Sequence, residues 1–196
     1  PHYAKDFTPE LLAATRDLLA DDHCVALGEI GLDYHYDFSP VDAQQSTFAA
    51  QLALAKELAC PIVIHTREAF DDTLAMVRDS GVDTSRVIFH SFTEDEGPTR
   101  RLLDLGATIS YSGIATFKRT DSLREAVKLV PDDRILIETD SPFLAPEPVR
   151  KMHPNEPANV AHVATCLAAV RGLSAEAFAE QTTANAIRAF GLDIPA

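Results

Sequence analysis

The chain has 196 residues with 17 Lys and Arg against 30 Asp and Glu, a formal net charge of −13, and a composition that is 46% hydrophobic and 24% charged. Those proportions fit a globular domain with a sizeable core. No apolar run is long enough to predict a membrane span. The acidity excludes a protein that coats nucleic acid through a broad basic face, but not a nuclease whose cations handle phosphate charge.

Helix and strand patterns alternate along the chain. Thr8, Pro9 and Glu10 read as an N-cap, a first-turn proline and an acidic second position, followed by Leu11, Thr15, Leu18 and Leu19 on one side. Residues 25–29 read as a strand. Ser39 through Asp42 form another cap, with Phe48, Leu52, Ala55 and Ala59 at helical spacing behind it. Residues 61–65 predict a strand, and 70–80 a helix closed by Gly81. Residues 87–90 predict a strand, 96–105 a helix before Gly106, and 107–111 a weaker strand. Ser122 and Glu125 fit a capping box, and 134–140 a further strand. A proline-rich loop spans 141–157. Two helices follow, at about 157–171 and 174–190, the second capped by Ser174 with Leu173 and Phe178 as a staple. Short apolar strands separated by helices predict parallel β/α units in one α/β domain.

Four of these strands end on a metal-loving side chain: "VALGE" on Glu29, "IVIH" on His65, "VIFH" on His90 and "ILIETD" on Asp140. In parallel α/β folds the active site gathers at the carboxyl ends of the strands. A lone histidine there is more often a hydrogen-bonded loop residue than a ligand. Four such ends in one chain point to a metal pocket instead. Imidazoles and carboxylates without a thiolate suit Zn, Mn, Co or Ni rather than a structural zinc knot. Cys24, Cys60 and Cys166 are odd in number and far apart, which fits free thiols in a reducing cytoplasm.

The ordered segments "GEIGLDYH" (28–35), "IVIHTRE" (62–68), "VIFHSF" (87–92), "ILIETDSPFLAP" (135–146) and "NEPANV" (155–160) resemble the motifs of the TatD family. These are metal-dependent deoxyribonucleases with an amidohydrolase-like TIM barrel. The resemblance covers essentially the whole chain and implies a (β/α)8 barrel over residues 1–196 as a single domain. It also implies an N-terminally incomplete barrel. No His-x-His strand is present, and "PHYA" is similar to the end of the family's second strand. On this resemblance Glu29 is a bridging, catalytic carboxylate, and His65 and His90 bind one cation. Asp140 binds the other and serves as the base that takes a proton from the attacking water. Arg67, Lys118 and His153 are the expected substrate contacts. Asp33 is expected either to orient a ligand or to cap the next turn, and Glu138 either to support the metal site or to make a structural hydrogen bond. His23 and His35 read as ordinary loop histidines.

The implied cofactors are divalent cations, two per intact site, drawn from Zn, Mn, Mg, Co and Ni. The implied partner is DNA, cut by an exonuclease using metal-bound water. The chain is expected to be a cytoplasmic monomer if the barrel is complete, with no membrane partner. The alternatives are an amidohydrolase of a small amide, ester or lactone, and an inactive truncated fragment.

Overall fold

The computed structural model describes residues 1–193, which divide into two compact units, one ending at Phe89 and one starting at His90. In the first unit, helix α1 (Pro9–Leu18) starts as expected, with Thr8 Oγ1 accepting the Leu11 N–H at 3.3 Å. Its apolar side is not buried, since Leu11 and Leu18 remain largely exposed. Strand β1 (Leu27–Asp33), helix α2 (Val41–Leu58), strand β2 (Ile62–Arg67), helix α3 (Phe70–Ser80) and strand β3 (Val87–Phe89) follow. The strands lie parallel in the order β1-β2-β3. Phe48 and Leu52 on α2 and Leu74 and Val77 on α3 are buried with Ile30 and Ile64 of the sheet. Burial of each such side chain contributes roughly 1.5–3 kcal/mol.

The second unit contains α4 (Glu96–Leu105), β4 (Thr108–Tyr111), α5 (Asp121–Leu129), β5 (Ile135–Ile137), α6 (Val160–Arg171) and α7 (Ala175–Phe190). Strands β4 and β5 pair in parallel, Ile109 opposite Ile135 and Tyr111 opposite Ile137. Ser174 caps α7 by accepting the Ala177 N–H at 3.1 Å. Asn185 on α7 donates to the carbonyls of Asp132 and Ile135 at 2.7 and 2.8 Å, which fixes the helix to the start of β5. In both units strand, helix and parallel strand succeed one another, the repeating element of a TIM-type barrel. Among the described residues, no helix is long and apolar enough to cross a membrane.

Two expected caps are different. Ser39 does not cap α2, whose N-cap is Pro40. Its hydroxyl instead accepts the Lys5 N–H at 3.1 Å and donates to the His2 carbonyl at 2.8 Å. Ser122 and Glu125 make no capping box, because α5 already begins at Asp121 and Glu125 pairs with Lys128 at 2.7 Å.

The strand ends are also corrected. Strand β1 does not stop at Glu29 but runs on to Asp33, pairing Gly31 with His65 and Asp33 with Arg67. Strand β2 likewise continues past His65. Of the four expected ligands, His90 follows the last residue of its strand directly and Asp140 lies three residues beyond β5. The cause in β1 is a register irregularity between Leu27 and Ile30, which leaves Gly28 and Glu29 exposed while residues 30–33 are buried. A bulge of this kind re-aims one side chain without ending the strand.

Candidate metal centre

Gly31 sets the approach of β1 to β2. Its φ is +130°, and a Cβ there would sit 2.0 Å from the His65 carbonyl oxygen. Only glycine tolerates that combination. The two strands therefore close up where His65 projects. His65 Nε2 donates to Asp33 Oδ2 at 2.8 Å, since a carboxylate can only accept. The ring proton is thereby fixed on Nε2 and the lone pair on Nδ1. Nδ1 lies 3.8 Å from Glu29 Oε2. A lone-pair nitrogen and a carboxylate oxygen at that separation match what a divalent cation of the Zn or Mn type takes as ligands. The residues in place therefore fit such an ion.

Asp33 is fully buried and serves two purposes. Its Oδ1 accepts the N–H groups of His35 and Tyr36, both at 3.0 Å, and so caps the turn after β1. Its Oδ2 holds His65 and also accepts from His2 Nε2 at 3.0 Å. Burial pushes the carboxyl upward. The hydrogen bonds from His2, the Tyr36 N–H and His65, with the charge His65 carries when it is protonated, outweigh it and bring the group down to about 2. His2, Asp33 and His65 place their ligand atoms within 4.8 Å of one another. With all its lone pairs directed at these donors, Asp33 serves best as the carboxylate that orients His65. The signal for it in the sequence is Asp33 ahead of the turn; nothing local marks His2, which sequence reading missed.

Gln44 reinforces this corner from α2. Its amide oxygen accepts the Asp33 N–H at 2.8 Å, and its amide nitrogen donates to the Asp33 and Ser39 carbonyls, both at 2.9 Å. Arg67 is exposed and carries its guanidinium carbon 4.8 Å from the centroid of the Tyr36 ring.

In the second unit, His90 Nδ1 donates to Glu138 Oε1 at 3.0 Å, and the Ser110 hydroxyl donates to Glu138 Oε2 at 2.6 Å. Glu138 is thus an orienting partner of His90, and its hydrogen bond fixes the lone pair of that ring on Nε2. Asp140 adopts a left-handed backbone with φ of 55°, as do Ser91 after His90 (φ 43°) and Glu68 after Arg67 (φ 52°). Non-glycine residues held there cost of order 1–3 kcal/mol each and collect at functional sites.

Asn155 of the "NEPANV" segment explains how the 141–157 loop is held. Its Nδ2 donates to the Thr139 and Phe143 carbonyls at 3.0 and 2.6 Å. Its backbone N–H reaches Pro142 O at 2.9 Å. Lys118 and His153 are both exposed. The Lys118 segment is held by Arg124, which donates to the carbonyls of Ala115 and Phe117 at 3.1 and 2.6 Å. Arg150 carries its guanidinium carbon 3.6 Å from the Phe117 ring centroid.

The chain matches the TatD related DNase family over residues 1–191. It is 45% identical over 178 residues to the uncharacterized metal-dependent hydrolase YcfH of Escherichia coli K12, covering 91% of this chain and 67% of that protein. It is 35% identical to the 3'-5' ssDNA/RNA exonuclease TatD of Klebsiella pneumoniae, covering 99% of this chain and 75% of that protein. Among solved structures, the TatD homolog YjjV from Escherichia coli K12 superposes with a TM-score of 0.87 at 26% identity, covering 96% of this chain and 73% of that one.

Proposed function

The chain belongs to the TatD related DNase family of metal-dependent hydrolases, and on that premise we propose that it hydrolyses phosphodiester bonds of DNA, removing nucleotides from an end. Glu29 and His65, with His90 and Asp140, hold one or two divalent cations. A bound divalent cation supplies Lewis-acid polarisation of a phosphoryl oxygen. Asp140 accepts the proton lost by the attacking water. Arg67 grips a non-bridging phosphate oxygen through its planar fork, with Lys118 and His153 as further contacts. Asp33 and Glu138 keep the two imidazoles in the tautomers that leave Nδ1 of His65 and Nε2 of His90 as lone-pair donors.

The observation that carries this reading is the His65 arrangement: Nε2 committed to a buried carboxylate, and Nδ1 beside Glu29. The test is cleavage of an end-labelled single-stranded oligonucleotide with Mn²⁺, Zn²⁺ or EDTA, run beside a carboxylic ester panel. Stepwise shortening that EDTA abolishes is the expected result. Undiminished cleavage in EDTA, or ester hydrolysis with the strand left intact, contradicts it.

A further inference from the structure

Beside the His65 cluster, the turn that Asp33 caps carries two aromatic side chains that the core does not use. Tyr36 and Phe38 are 40% and 51% exposed. Their rings lie nearly parallel, 15° apart with centroids at 5.0 Å. The His2 ring stands edge-on to both, at 5.8 and 5.1 Å, and its centroid is 5.6 Å from that of His65. The aromatic pair is therefore one imidazole away from a candidate metal ligand. Arg67 brings a cation to the Tyr36 ring at 4.8 Å.

The turn holding these rings is fastened at both ends. Asp33 takes the His35 and Tyr36 N–H groups, and Ser39 is bonded to the His2 carbonyl and the Lys5 N–H. Both rings thus stand exposed on a segment whose backbone is already held by polar bonds. A stacked, partly exposed aromatic pair with an arginine over one of its rings is the chemistry of a single-strand platform. Every base offers a π face, and a guanidinium serves both ring and phosphate. In a duplex those faces are already stacked on neighbouring pairs.

We propose that Tyr36 and Phe38 form a stacking shelf for an unpaired nucleobase next to the scissile phosphate, with Phe38 as its more exposed ring and Arg67 over the ring of Tyr36. This inference deepens the phosphodiesterase reading and rests on it.

The test exploits a chain without tryptophan. Phe38→Trp introduces a single reporter, and a phosphorothioate single strand is titrated against it in EDTA and again in Mn²⁺. Saturable quenching by the base-bearing strand, and none by a strand of abasic residues or a blunt duplex, is expected. Tyr36→Ala combined with Phe38→Ala weakens strand binding about 10- to 100-fold. It also brings the preference for base-bearing over abasic ends close to 1, whereas Phe38→Tyr retains that preference. A reporter that ignores the strand, or a double alanine variant that keeps its preference for base-bearing ends, overturns the shelf. Failure of the wild-type protein to cut a labelled strand with any divalent metal, while the reporter still quenches, overturns the nuclease reading and leaves the stacking site standing.

Discussion

In the first unit a carboxylate takes the Nε2 side of His65, and in the second a carboxylate takes the Nδ1 side of His90. Both bonds fix a tautomer, yet the supports differ in depth. Asp33 is fully buried and receives two imidazoles and two backbone N–H groups. Glu138 is partly exposed and receives one imidazole and one hydroxyl. The first partner is therefore part of the fold as well as of the site. Removing it damages both together, whereas removing the second should separate metal binding from stability.

Asp33→Ala should have the largest effect. It leaves two backbone donors and two imidazoles without their acceptor, at about 3 kcal/mol of folding free energy. Urea denaturation measures this, and a loss under about 1 kcal/mol would show that Asp33 does not hold the turn. Gly31→Ala comes next, because its Cβ meets the His65 carbonyl and its φ is positive. A cost of roughly 2–3 kcal/mol is expected, with weaker metal binding as β1 is pushed from β2. Glu138→Gln should lower metal affinity about 10- to 100-fold by calorimetry while shifting the urea midpoint far less than Asp33→Ala does. Equal damage to stability by the two would erase the contrast between the clusters. Arg67→Ala should raise KM for an oligonucleotide several-fold with metal uptake intact, and a parallel loss of metal would make Arg67 structural. Ser110→Ala removes one of two donors to Glu138 and should be mildest, at about 1 kcal/mol or less.

The α/β class, the strand positions and most helix boundaries were legible in the sequence, because apolar runs, glycine stops and caps such as Thr8 and Ser174 act over a few residues. The irregularity that re-aims Glu29 was not, since it depends on the register of β1 against β2 rather than on either strand alone. Ser39 was misread for a similar reason. A serine ahead of a proline looks like a helix cap, but the N-terminal segment claims its hydroxyl across a separation of 37 residues to the His2 carbonyl. The candidate ligands His65 and His90 could be picked out by their place after apolar runs. Their supports were harder to see: Asp33 was left between orienting a ligand and capping the turn, and it both caps the turn and bonds His65, while Glu138 was left between a supporting and a structural bond. His2 was invisible as a partner of Asp33, because 31 residues separate them.

The most direct test of a shared metal centre is titration of Mn²⁺ or Zn²⁺ into the wild-type protein, His65→Ala, His90→Ala and the double variant, read by calorimetry. If both imidazoles hold the same ion, each single change lowers its affinity roughly 100-fold or more, and combining them costs little beyond the worse single change. Two losses that simply multiply, or a tight site surviving in either single variant, would contradict it.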